Sequence, residues 1–248
     1  MPVLSTQAGL LYFAHVPKTG GTSVEEYIIG NYGPLELIDR GWHEARLQGE
    51  RAGARFRCSD QHLVWADALT LLPRAPDTVF GIVRDPVARI ISEYRFQVRF
   101  RPQLRWLTRM GFSVWLAALL RAARIDPYIC DNHIRPQADF LPPEARVFRL
   151  EEGLDTLPGW IAEHCGPPAV GLDMHHSQKA PTGQSRPIVP SRYDLRLIKG
   201  FYAVDYTRFG YPDPDLSAAP AGWVSQVSSG LVSFSAPWLV RAYQADRI

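Results

Sequence analysis

Apolar residues along this chain fall into short runs separated by glycine, proline and polar clusters, and the runs alternate between two kinds of spacing. Residues 10–14, Leu-Leu-Tyr-Phe-Ala, form a continuous apolar run. That is the pattern of a strand covered on both faces in a parallel sheet. Residues 79–83, Val-Phe-Gly-Ile-Val, repeat it, and residues 146–150 supply a third strand. Between the runs the spacing becomes helical. Residues 23–29 predict a helix that stops near Gly30 and Asn31. Asp85 and Pro86 place an N-cap and a first-turn proline at the head of a helix reaching about Phe100. Residues 66–72, 112–123, 154–165 and 193–202 predict further helices, and residues 167–190, rich in Pro, Gly, Ser and His, a long loop. No internal repeat is present.

Strands alternating with helices predict a single α/β domain with a central, mostly parallel sheet flanked by helices. The domain is expected to span residues 1–211. Residues 212–248, with several Pro, Ala and Ser, are expected to form an extension, packed on the same domain as a hairpin or lid, or partly disordered.

Composition narrows the classes of function. A chain of 248 residues, 46% hydrophobic and 21% charged, can bury a sizeable core. A net charge of +2 gives no reason to expect a nucleic-acid partner. The three cysteines, Cys58, Cys130 and Cys165, are odd in number and lack CxxC spacing. This argues against a disulfide framework or zinc site and for reduced thiols in a cytoplasmic protein. No apolar run reaches the length of a membrane span, and residues 1–9 lack the features of a signal peptide. Of 27 cationic side chains only Lys18, Lys179 and Lys199 are lysines.

One of those lysines stands in the turn after the first strand. Pro17-Lys18-Thr19-Gly20-Gly21-Thr22-Ser23 leads from His15 and Val16 into a helix. Adjacent glycines let backbone N–H groups converge, and the helix N-terminus adds partial positive charge. The Thr22 and Ser23 hydroxyls add donors, and the Lys18 ammonium can reach a leaving oxygen. The result is an anion cradle. The ATP-type pattern GxxxxGK[ST] puts lysine after the last glycine. Here lysine precedes both.

This segment resembles the 5′-phosphosulfate loop of sulfotransferases that use PAPS (3′-phosphoadenosine 5′-phosphosulfate). It is most similar to the carbohydrate group containing heparan sulfate 2-O-, chondroitin and HNK-1 sulfotransferases and bacterial relatives. The resemblance implies a second motif for the 3′-phosphate: a strand ending in Arg-Asp-Pro, with a serine eight residues after the arginine. The run at 79–83 leads into Arg84-Asp85-Pro86, and Ser92 stands eight residues after Arg84. An arginine at the carboxyl end of a parallel strand faces the crevice where such sheets bind ligands, and its fork grips a phosphate with two hydrogen bonds. A structural alternative is that Arg84 pairs with an acid and Ser92 is only a helix surface residue.

Transfer to a hydroxyl also needs a base, and histidine has a suitable pKa. The resemblance places the base a little over twenty residues before the motif arginine, ahead of a short helix. His62 stands 22 residues before Arg84 and precedes residues 66–72. His43 is the second choice, and His15 is expected to orient the loop or pack beneath it.

Two segments resemble the family less sharply. In Asp131-Asn132-His133-Ile134-Arg135-Pro136-Gln137, an extended chain would put His133, Arg135 and Gln137 on one side, to bind acceptor or cofactor. A polar turn is the alternative. Lys179 follows His175 and His176 in the long loop, where sulfotransferases close over the nucleotide. No metal is called for. From Arg84 to Arg124 nine arginines meet only two acids, with Phe96, Phe100 and Trp106 interleaved. This is either a surface for an anionic or sugar acceptor or a solvated helix face.

The reading is a PAPS-dependent sulfotransferase of P-loop-like fold acting on a carbohydrate or other hydroxyl, with PAP as product. Oligomeric state is not legible. An ATP-dependent small-molecule kinase is the first rival, and a non-catalytic carbohydrate-binding protein of the same fold the second.

Overall fold

The computed structural model describes residues 2–38, 45, 56–174, 187–222 and 236–245. In chain order the regular elements begin with β1 (Val3–Thr6), β2 (Gly9–Ala14), α1 (Gly21–Tyr32), α2 (Trp65–Ala68), β3 (Thr78–Val83) and α3 (Pro86–Phe100). They continue with α4 (Arg105–Thr108), α5 (Phe112–Ile125), β4 (Arg146–Arg149), α6 (Leu157–Cys165), α7 (Arg192–Phe201), α8 (Ala203–Phe209) and α9 (Ala236–Gln244). The described residues divide into two compact units. The first lies within 1–42, 58–84 and 137–184, the second within 43–57, 85–136 and 185–248.

The first unit carries the sheet, ordered β1-β2-β3-β4. The three strands predicted from the sequence are mutually parallel, with Phe13 opposite Phe80 and Ile82 opposite Phe148. The sequence pattern does not predict the strand at residues 3–6, which adds antiparallel to β2, with Val3 opposite Tyr12. Side-chain alternation gives the sheet two buried faces. Leu11, Phe13, Phe80, Ile82 and Phe148 form a core with Val24 and Ile28 of α1 and Leu157 and Ile161 of α6. Tyr12 projects from the opposite face, with Trp65 of α2 edge-on at 5.2 Å. Burying each Leu, Ile or Phe of the first core contributes about 1.5–3 kcal/mol. The architecture is therefore α/β, a mostly parallel sheet flanked by helices.

Local departures from the sequence reading have physical causes. Helix α1 runs through Gly30 to Tyr32 and is capped by Gly33 at φ 105°. Gly30 makes room instead: a Cβ there would lie 2.8 Å from Leu172 Cδ1. Asn31 then fixes that neighbour, its Oδ1 accepting from Leu172 N–H at 2.8 Å and its Nδ2 donating to Leu172 C=O at 3.0 Å. Helix α2 stops at Ala68 and gives way to turns ahead of Pro73, where proline disfavours helix in the residue before it.

The second unit is helical among its described residues. Asp85 caps α3 as expected, its Oδ1 accepting from Ala88 N–H at 2.8 Å. Trp115, Leu116 and Leu119 of α5 are buried with Ile198, Tyr202 and Leu239. The sequence pattern does not predict helices α8 and α9. The second lies in the 212–248 segment and buries Leu239, Val240 and Tyr243.

Candidate active site

Strands β2 and β3 are parallel, so the turn after β2 and the arginine after β3 leave the same edge of the sheet. Carboxyl ends of parallel strands are where such sheets bind ligands. The turn after β2 is sharply shaped. Lys18 has φ 71° and Gly20 has φ 91°, both left-handed. A side-chain-bearing residue pays about 1–2 kcal/mol for that conformation. The buried Thr19 hydroxyl donates to Val16 C=O at 2.8 Å, bracing the turn from within. Pro17 and Ser23 are buried, Lys18 and Thr22 half-buried, and Gly20 exposed. Gly20 caps α1, whose first turn holds no acidic residue. The positive end of the helix is thus not neutralised by its own sequence.

The two glycines do different work. Gly20 supplies the left-handed cap. Gly21 admits the His15 ring: a Cβ there would lie 2.2 Å from His15 Nε2. His15 lies against the head of the helix, with Nδ1 2.5 Å from Glu25 Oε1 and both side chains buried. Glu25 was missed by sequence reasoning. Its signal was an acid beside Val24, in the stretch that also carries Tyr27 and Ile28.

Arg84 follows the last paired residue of β3. Its Nη1 donates to Lys18 C=O at 3.4 Å, so the two motifs separated by 66 residues meet. Gln137 is fully buried and holds the Arg84 backbone from both sides. Its Oε1 accepts from Arg84 N–H at 2.9 Å, and its Nε2 donates to Arg84 C=O at 2.8 Å.

His62 is buried at the end of a short 3-10 turn, Asp60–His62. Its Nδ1 lies 3.0 Å from Ser59 Oγ. Its ring meets the His15 ring edge-on, with centroids 5.1 Å apart. The first unit therefore gathers His62, His15, the Lys18 turn and Arg84. Ser59, three residues before His62, was not singled out in the sequence.

In the second unit, Ser92 lies half-buried on α3. His133 is buried, with Nδ1 2.7 Å from Glu93 Oε2. Glu93 Oε1 accepts from Gln97 Nε2 at 2.7 Å, and Gln97 Oε1 from Trp115 Nε1 at 2.8 Å. Arg135 Nε donates to Asn132 Oδ1 at 3.2 Å, and its guanidinium lies 5.2 Å from the Tyr128 ring centre. The extended course expected from 133 to 137 is not realised. Cys130, Asp131 and Asn132 are successively left-handed, at φ 55°, 59° and 63°, and Gln137 opens a 3-10 turn. The carbonyls of His133 and Arg135 accept from the buried Arg89 guanidinium at 3.2 and 2.6 Å, which ties the chain into this turn. His43 and Lys179, with His175 and His176, lie outside the described residues.

A sequence profile described as the Sulfotransferase family matches residues 4–157. This chain belongs to the sulfotransferase family. The matched segment contains strands β2, β3 and β4, the Lys18 turn, His62, Arg84, Ser92 and Gln137. Its α/β architecture is consistent with the P-loop-like sulfotransferase fold. A protein-tyrosine sulfotransferase from Arabidopsis thaliana is 30% identical over 127 residues, which cover 48% of this chain and 25% of that protein. The match thus spans about a quarter of that relative's length. No solved structure matches the chain at a significant level. Among the described residues no helix is long and apolar enough to cross a membrane.

Proposed function

We propose that this sulfotransferase moves a sulfuryl group from PAPS to an acceptor hydroxyl, and that the residues gathered at the carboxyl edge of the sheet carry the reaction. The observation behind this is the meeting of Lys18 and Arg84. A left-handed, glycine-capped turn at a helix N-terminus suits one anionic group, and an arginine beside it suits another. PAPS carries two such groups, and when bound it supplies an activated sulfuryl group on a phosphate leaving group. The fit is supported by the cradle itself: the Gly20 cap, an α1 first turn without acids, and the half-buried Lys18.

The turn from Pro17 to Ser23 would hold the 5′-phosphosulfate with backbone N–H groups. Thr22 and Ser23 would add hydroxyls. Thr19 contributes by bracing the turn, since its hydroxyl proton goes to Val16. Lys18 would place its ammonium on the leaving oxygen, an electrostatic contribution that grows as charge develops there. Arg84 would bind the 3′-phosphate, with Ser92 as the second donor its spacing suggests. Lys179 is proposed as a further contact of the nucleotide. His62 would accept the acceptor proton. If its Nδ1–H donates to Ser59, Nε2 carries the lone pair a base requires. His43 is the alternative base.

A carbohydrate hydroxyl is the acceptor we favour, on the resemblance of the motifs to the carbohydrate-acting and bacterial-type members. His133 and Arg135 are the proposed contacts. A tyrosine hydroxyl is a second reading, favoured by the identity to the plant protein-tyrosine sulfotransferase. Three cysteines, odd in number and without CxxC spacing, suit a reducing, cytoplasmic setting. The test is transfer of labelled sulfate from PAPS to a panel of glycans and tyrosine peptides, with Lys18→Ala as control. Transfer is expected with the wild-type chain and a loss of about 10²–10³-fold with the variant. Tight ATP binding without PAP binding would overturn the reading in favour of a kinase.

A further inference from the structure

We infer that Gln137 is a positioning residue for anion recognition: it sets the Arg84 guanidinium for a phosphate at the ribose 3′ position. This rests on the proposed PAPS reading. Strand β3 ends just short of Arg84. Val83 is the last residue of β3 paired to β4, opposite Arg149. Arg84 is one step further, beyond the ladder that fixes its predecessors. A backbone freed at that point would let the arginine sweep a wide arc, and recognition of a tetrahedral anion by a planar fork needs placement within about 0.5 Å.

The Gln137 amide takes over where the ladder stops. It accepts from Arg84 N–H at 2.9 Å and donates to Arg84 C=O at 2.8 Å, the paired bonds an antiparallel neighbour would make. The glutamine is itself immobilised. It is fully buried at the start of a 3-10 turn whose last residue, Phe140, is also fully buried. Leu141 then packs against the strand, its Cδ2 2.6 Å from where a Gly81 Cβ would stand. With its backbone fixed, Arg84 reaches back to the Lys18 carbonyl at 3.4 Å. A buried amide thus connects through one arginine to the left-handed residue of the anion turn.

The chemistry explains why glutamine is needed. The site requires one donor and one acceptor on the same planar group. Glutamate keeps only the acceptor when ionised, and methionine keeps neither while nearly preserving volume.

The experiment compares binding of PAP and AMP, which differ by the 3′-phosphate, to the full chain and to Gln137→Met and Gln137→Glu. The wild type is expected to prefer PAP by tenfold or more. Gln137→Met should lower that preference about tenfold, the worth of one hydrogen bond to a charged group, with AMP affinity little changed. Gln137→Glu should fall between. In an Arg84→Ala background, Gln137→Met should have no further effect on the ratio. A folded Gln137 variant with the wild-type ratio would overturn the inference. So would equal losses of PAP and AMP affinity, or loss of the native circular dichroism spectrum in both variants, because each marks a merely structural role. A wild-type chain that binds PAP and AMP alike would instead refute the PAPS reading on which the inference rests.

Discussion

The Arg84 guanidinium donates to the carbonyl of Lys18, although 66 residues separate the two. Lys18 follows β2 and Arg84 follows β3, and the parallel pairing of those strands carries both to one edge. An arginine bonded to the backbone of the anion turn couples the turn's shape to whatever the arginine binds. The lysine's left-handed conformation is maintained against an intrinsic cost by such contacts.

His62 is expected to matter for turnover and not for nucleotide binding. His62→Ala should lower kcat about 10²–10⁴-fold while leaving PAP affinity near that of wild type. Ser59→Ala should cost less, since it removes the partner at Nδ1 and leaves the imidazole in place. Steady-state kinetics with isothermal titration of PAP would separate the two effects. Wild-type turnover in His62→Ala would remove it from the role of base.

Gly21→Ala should destabilise the chain by about 1–3 kcal/mol, the usual cost of overpacking. The new methyl would meet the His15 ring, which the buried Glu25 pairing prevents from yielding. His15→Ala should also destabilise, because it removes a 2.5 Å partner of the buried Glu25 carboxylate. Together the two changes should cost less than their sum by more than about 0.5 kcal/mol, since removing the ring removes the clash. Urea unfolding of the four chains measures the coupling. Strict additivity would mean that His15 is not the reason for this glycine.

Stability should fall in acid in part through Asp77. The hydrogen bond from Arg74, and then that from the Leu10 backbone N–H, hold its carboxyl down at about 2 from an ordinary 3.8. A carboxylate depressed by folding stabilises the folded state at pH above its unfolded value. That contribution fades as pH falls from about 4 to about 2. In Asp77→Asn this part of the acid dependence should be absent, and the difference between the chains should shrink below pH 4. Thermal unfolding from pH 2 to 7 reads it directly. An unchanged difference across that range would exclude the linkage.

Strands β2 and β3 were legible in their own residues, as uninterrupted apolar runs too short for a helix and bounded by turn signals, and β4 in the arginine-flanked Val147 and Phe148 between two helical stretches. The sequence by itself determined the cap of α3 for a similarly local reason: Asp85 and Pro86 act on the turn they begin. It also contained the Lys18 turn and Arg84 as separate motifs. What it could not contain was partnership at long range. That Gly21 is a glycine because of His15, that His15 is paired with Glu25, and that Gln137 clasps the backbone of Arg84 all depend on groups brought together by packing. The alternation of His133, Arg135 and Gln137 suggested a shared face, but three left-handed residues ahead of them and the buried Arg89 imposed a turn. Local spacing fixes an element where its own residues supply the energy. Where a distant side chain supplies it, the outcome is set by packing.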